Sequence, residues 1–223
     1  MGNCSSQSHH NIGLNEEEIA AVKDSWLRAK SENIGKKILG TLLEKRPQFA
    51  VIYGIPEDAV TKKAMDSNNQ FQLQAYRIQN FLDTAVSSLG FCPMNSVWDM
   101  AKRIGQIHFY KGVNFGADNY LIFKRVTIDE ILAMTLQPRT EEPKTARNEN
   151  ESARKEVNGN DLFQDIAATY SEYCPLRLGW NKLMNEIVKE MKKGFLEEAL
   201  GSCQSDENGN KHLTIIGVVH DSH

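Results

Sequence analysis

Apolar residues recur at helical intervals through most of the middle of this chain. In one stretch the intervals are four, three, four, three and four residues: Phe71, Ala75, Ile78, Leu82, Ala85 and Leu89. That period places the apolar side chains along one face of an α-helix. Similar patterns predict further helices: one that starts near Asn15, one over 34–45, one that ends at His108, one over 118–136 and one over 175–200, with a short turn through 49–53.

The pattern predicts one all-α domain with polar extensions. Strand-like residues occur only at 213–219, and seven or so helices with irregular connections favour helix-on-helix packing around one core. The stretch 137–160 is charged, contains two prolines and has a single large aliphatic residue, Val157, so we expect a flexible insertion there. The predicted domain covers 14–200, between a flexible N-terminal segment at 1–13 and a C-terminal tail at 201–223.

Composition narrows the classes of function. The formal net charge is −3 and no basic block stands out, so no nucleic-acid partner is expected. The four cysteines lack metal-ligand spacing, and without a secretory signal they indicate a reduced, cytosolic protein. No apolar run approaches the roughly 18 residues of a membrane span.

The first six residues fit a signal for membrane attachment through acyl chains. Gly2 and Ser6 fit the N-myristoylation pattern. One myristoyl chain binds membranes only marginally, and no Lys or Arg precedes Lys23, so Cys4 is the candidate second anchor as a palmitoylation site. The alternative is a polar N-terminus that matches by chance. We expect attachment to the cytoplasmic face of the plasma membrane through acyl chains.

His108 is the one histidine of the six that lies on the apolar stripe of a predicted helix. Burying an imidazole costs free energy unless something bonds its nitrogen, so His108 is either a hydrogen-bonded core residue or a metal ligand. Gln74, 34 residues earlier, lies on or beside the inward face of another helix. The remaining predicted lining is apolar or aromatic: Tyr53, Ile78, Ile104, Val113 and Phe115. One protein ligand is too few for a structural zinc, but it suits a planar cofactor that brings four ligands of its own, such as haem.

Between about Leu14 and Leu200 the chain resembles a globin. The single positions that carry the resemblance are Trp26, Pro47 and Tyr53, which follows Pro47 by six residues. Three longer runs carry the rest: 71–78 resembles the distal helix of neuroglobin-like chains, 107–113 the proximal histidine and its following turn, and 179–195 the last helix. With its tails, insertion and acylation pattern, the chain is most similar to N-terminally acylated globins of nematodes.

The resemblance implies a three-over-three helical fold that binds haem b, iron protoporphyrin IX. It makes His108 the proximal iron ligand and places Gln74 at the distal position. Leu39 would lie over the sixth coordination site, Ile78 beside the bound ligand, and Arg77 at a haem propionate or over the distal mouth. Two positions depart from the family: Tyr53 replaces the usual phenylalanine and Gln74 the usual histidine, so we do not expect two histidines on the iron.

The function implied is reversible binding of dioxygen and nitric oxide, in oxygen sensing or redox signalling at a membrane surface. One alternative is a redox enzyme that works with a cytosolic reductase and generates superoxide, consumes nitric oxide or reduces nitrite. Another is a haem-free helical adaptor on the same fold.

Overall fold

The computed structural model describes residues 12–56, 67–113, 117–136 and 174–206, without the side chains of 117, 136 and 203–206. The predicted flexible insertion, most of both predicted tails and Phe115 lie outside these ranges. The helices are α1 (Glu16–Ser31), α2 (Ile34–Lys45), α3 (Phe49–Ile52), α4 (Asn69–Ser88), α5 (Asn95–Tyr110), α6 (Ala117–Leu136) and α7 (Pro175–Asp206). Every helix predicted from the pattern is present. Within the described ranges no helix is both long and apolar enough to cross a bilayer.

The last helix extends six residues further than the pattern predicted. It passes through Gly201 and ends at Asp206 rather than near Leu200. A glycine inside a helix costs only about 1 kcal/mol relative to alanine, and no proline follows to stop the helix. The predicted boundary at 200 therefore falls inside α7.

One carboxylate ties the start of α1 to α7. Asn15 and Glu18 form a capping box, in which each side chain accepts a hydrogen bond from the other residue's backbone N–H. The buried Glu18 carboxylate also accepts from Lys182 Nζ at 2.7 and 2.8 Å. Burial acts to raise the pKa of Glu18, but the hydrogen bonds from Lys182 and Asn15 outweigh it and hold that pKa below its usual value.

The helices pack as two layers of three. One layer contains α1, α4 and α5, and the other contains α2, α6 and α7. Between the layers α5 lies on α7, α1 contacts α6 and α7, and α4 lies on α2. Trp26 and Trp180 meet in the core with ring centroids 6.0 Å apart. Both indole N–H groups have acceptors, Asp83 for Trp26 and Ser25 for Trp180, so neither tryptophan carries an unpaired buried donor.

The contact between α5 and α7 is a backbone-to-backbone crossing. A Cβ atom added at Gly105 would overlap the carbonyl of Met191, and one added at Gly194 would overlap the carbonyl of Lys102. Because of this close crossing, the buried face of α5 consists of Val97, Trp98, Ala101 and Gly105. Two apolar residues of α5 lie off this buried face, since Met100 and Ile107 are 37% and 48% exposed, and Ile107 lines the cavity described below.

We expect Gly194→Ala to destabilise the fold by about 1–3 kcal/mol, the usual range for an overpacked core, because the obstructing atom is backbone. The matched control is Gly201→Ala on the same helix, where an added Cβ meets nothing within 4 Å. That change should raise stability by up to about 1 kcal/mol through helix propensity. Urea denaturation followed by circular dichroism measures both. Equal stability of Gly194→Ala and the wild type would contradict the crossing.

Candidate functional site

A cavity of about 650 Å³ separates α4 from α5. Seven of the predicted site residues line it: Tyr53, Gln74, Arg77, Ile78, Ile104, His108 and Val113. Two others do not contribute. Phe115 lies outside the described residues, and Leu39 is fully buried in a cluster with Leu43 and Phe71. Leu42, almost one turn further along α2, lines the cavity instead.

His108 occupies the α5 wall of the cavity. Its Nδ1 lies 2.7 Å from the carbonyl oxygen of Ile104, so Nδ1 carries the proton and donates to that carbonyl. In the neutral ring Nε2 is then the nitrogen with the lone pair. Burial lowers the pKa of His108, and the positive charge of Lys111 lowers it further. The imidazole is therefore neutral at pH 7, the form in which histidine binds metals.

A tight turn follows α5 and places Val113 in the wall of the cavity. Gly112 adopts a left-handed conformation, with φ of 68°, which favours glycine at the end of a helix. The N–H of Val113 then donates to the carbonyl of His108 at 3.1 Å. Val113 is 2% exposed and forms part of the cavity wall. One turn thus fixes both the end of the histidine helix and its apolar neighbour.

Tyr53 faces His108 across the cavity. The two rings are edge-on, with an interplanar angle of 88° and centroids 6.4 Å apart. The phenol oxygen lies 3.5 Å from His108 Nε2, at the long end of the hydrogen-bond range. Burial raises the pKa of Tyr53 to about 12, so the hydroxyl stays protonated and is the donor to Nε2. The tyrosine hydroxyl therefore has a partner within this site.

The opposite wall is α4, where Arg77 Nη1 donates to Gln74 Oε1 at 3.4 Å. Gln74 is half-buried and Arg77 is exposed. The position of this wall is set from α2, because a Cβ at Gly35 would overlap the carbonyl of Ala75. The side-chain oxygen of Gln79 also accepts from the N–H of Gly35 at 3.1 Å. Close backbone contact thus fixes the residue next to Gln74.

Several lining residues were missed by sequence reasoning. Three of them are apolar and lie on three different helices: Phe81 of α4, Phe123 of α6 and Met191 of α7. Lys111 lines the cavity as well and is exposed, so it joins Arg77 as a second exposed cation there. Phe81 follows Ile78 by three residues and Lys111 follows His108 by three, a helical spacing that could have identified both. Nothing in the local pattern pointed to Phe123 or Met191.

Without any cofactor, we expect the imidazole NMR signals of His108 to titrate with a midpoint below 6.5, the ordinary histidine value. The signal is assigned by its loss in His108→Gln. Since the folded protein binds this proton less tightly than the unfolded chain, the stability it contributes is fully present above pH 6.5. That contribution falls as the pH drops towards the folded pKa. A midpoint at or above 6.5 would contradict the burial of His108.

No protein-family profile matches this chain, and no curated protein matches it. Among solved structures the chain is similar to the globin-like protein Glb-12 from C. elegans, with a TM-score of 0.54 and 17% sequence identity. The match covers 85% of this chain and 92% of that one. At such low identity the likeness concerns the fold alone, and it agrees with the two layers of three helices. The chain has an all-α globin fold.

Proposed function

We propose that this chain is a haem-binding globin that reversibly binds dioxygen and nitric oxide. The observation that carries the proposal is the position of His108, whose Nδ1 is bonded to the Ile104 carbonyl and whose Nε2 faces a largely apolar cavity inside a globin fold. Haem b supplies an iron atom with four ring nitrogens and open positions for a protein ligand and a diatomic gas. His108 would hold the iron, and its bond to the Ile104 carbonyl would orient the ring and raise its basicity.

The cavity has the size and chemistry that such a cofactor needs. Its volume of about 650 Å³ lies within the usual range for ligand sites, about 300–1,000 Å³. Most of the wall is apolar or aromatic, with Ile78, Ile104 and Phe123 as examples. Arg77 and Lys111, the two exposed cations, match the carboxylate groups that haem carries at its edge. The residues present therefore fit haem.

Tyr53 would change its partner when the cofactor binds. Its hydroxyl and an iron atom compete for the same lone pair on His108 Nε2. The hydroxyl would therefore have to leave Nε2. A protonated phenol inside a cavity needs another acceptor, and a diatomic ligand would be one. This position thus supplies a hydrogen-bond donor where a phenylalanine would not.

Gln74 would be the second donor from the chain. A neutral amide N–H bonded to a ligand contributes about 0.5–1.5 kcal/mol, and an amide is a far poorer iron ligand than an imidazole. Arg77, bonded to the side-chain oxygen, would direct the amide nitrogen the other way. We therefore expect the sixth iron position to remain open to a gas.

The physiological setting we propose is a membrane surface, with Gly2 myristoylated and Cys4 palmitoylated. An anchored protein cannot carry oxygen by diffusion, so sensing or redox signalling suits this placement better than transport. Mass spectrometry of the N-terminal peptide, with Gly2→Ala and Cys4→Ser as controls, identifies the two modifications.

The principal test is the absorbance spectrum of protein expressed with ample haem. We expect a Soret band that shifts on reduction and again with carbon monoxide, and that is lost or strongly altered in His108→Ala. The control is Tyr110→Phe, an exposed residue that does not line the cavity and should leave the spectrum unchanged. The absence of a Soret band in the wild type would contradict the proposal and favour a haem-free helical adaptor. Sustained turnover with a reductase would favour a redox enzyme.

Gln74→Leu tests the distal donor. Loss of about 0.5–1.5 kcal/mol should speed dioxygen dissociation about 2- to 13-fold, measured by ligand-replacement stopped flow. The control is Gln72→Leu, two residues earlier and not part of the cavity lining. In a companion variant, Gln74→His, ferrous iron should become low-spin without added ligand. A low-spin ferrous spectrum of the wild type, or an unchanged rate in Gln74→Leu, would overturn the role given to Gln74.

A further inference from the structure

A second surface of the molecule lies between α6 and α7. Two adjoining grooves of about 520 and 570 Å³ share Leu121 and Lys124 in their walls, so they form one continuous surface. We call it the α6–α7 face. It shares no lining residue with the cavity that contains His108. It is therefore open to a partner while that cavity is filled.

Exposed leucines lie on this face. Leu121, Leu196 and Leu200 are 54%, 56% and 64% exposed, and all three line the larger groove. Aliphatic side chains at this exposure leave apolar surface in water, and a contiguous patch of them marks a protein or membrane contact. Lysine side chains can extend their charged ends over such a patch while their stems cover it.

The face is basic although the chain is acidic. Seven basic and three acidic side chains line the two grooves, whereas the whole chain has 26 Lys and Arg against 29 Asp and Glu. Lys189 and Lys193 also pair with Glu186 and Glu190, which lie outside the lining. When those two glutamates are included, seven basic side chains still outnumber five acidic ones. Exposed pairs at this spacing are weak, so the lysines remain available to an anionic partner.

The smaller groove is lined by three arginines: Arg46, Arg125 and Arg177. A guanidinium group presents several N–H donors in a planar fork that matches a phosphate or carboxylate group. The charge of this groove thus favours an anionic occupant.

The N-terminal chain meets α7, because Lys182 Nζ donates to the carbonyl of Gly13 at 2.8 Å. The first described residue, Ile12, lies with Leu14 against the turn at 89–95. Gly2 lies ten residues before Ile12, a length that spans at most about 33–36 Å when extended. An acyl chain on Gly2 and the α6–α7 face can therefore reach the same bilayer.

We infer that the α6–α7 face binds the anionic surface of a phospholipid bilayer. The exposed leucines would enter the interface, and the lysines and arginines would contact the lipid phosphates. The folded domain would then add a contact of its own to the two proposed acyl anchors at Gly2 and Cys4. The inference extends the proposed membrane placement and is independent of haem binding.

The test uses the full chain without acyl groups, checked by mass spectrometry, and vesicles of phosphatidylcholine with or without phosphatidylserine. We expect co-sedimentation with the phosphatidylserine vesicles only, weakened by added salt. Each lysine near an anionic surface contributes about a 5-fold gain in binding, or about 1 kcal/mol. Lys192→Gln with Lys193→Gln should therefore weaken binding about 25-fold. Leu196→Ser with Leu200→Ser should weaken the binding that remains at high salt.

The matched control is Lys23→Gln with Lys36→Gln, which removes the same charge from residues outside the face and should change binding far less. Circular dichroism and the Soret band of every sample report the fold and the haem site separately from membrane binding. Equal effects of the two lysine pairs, or equal binding to both kinds of vesicle, would overturn the inference. No vesicle binding at all would also overturn it and would favour an acidic protein as the partner.

Discussion

The close crossing of α5 and α7 is the constraint on which the site depends. Gly105 and Gly194 let the two backbones touch, and any side chain at either position would push the helices apart. His108 lies three residues after Gly105, so the crossing sets the position and rotation of the imidazole. Gly35 does the same for α4, because it admits the carbonyl of Ala75 beside Gln74. The two walls of the cavity are thus fixed by backbone contacts outside it.

Within those walls a few polar groups stand in largely apolar surroundings. Burial keeps the His108 imidazole neutral and the Tyr53 phenol protonated, which makes one the acceptor and the other the donor of a single hydrogen bond. The same burial places a hydroxyl donor 3.5 Å from the lone pair of Nε2. If haem binds as proposed, that hydroxyl would have to leave Nε2.

The α6–α7 face is a separate region with the opposite chemistry. Among the described residues that line the cavity, the lysines and arginines are Arg77 and Lys111, both exposed. The face instead has several basic side chains around exposed leucines. Both regions use α7, which contributes Met191 to the cavity and Lys192 and Lys193 to the face. A membrane contact on one side of this helix would leave the opposite side free to line the cavity.

The sequence by itself determined the helices, because helical periodicity and capping depend on neighbours within about four residues. The bounds of α2, the start of α1 near Asn15 and the inward position of His108 were all predicted from it. Only the tertiary structure decided which helices touch. It buried Leu39 away from the cavity and put Leu42 there, left Met100 of α5 exposed, and brought Met191 to the site. Contacts between residues distant in the chain depend on how closely two helices approach, and no local pattern encodes that distance.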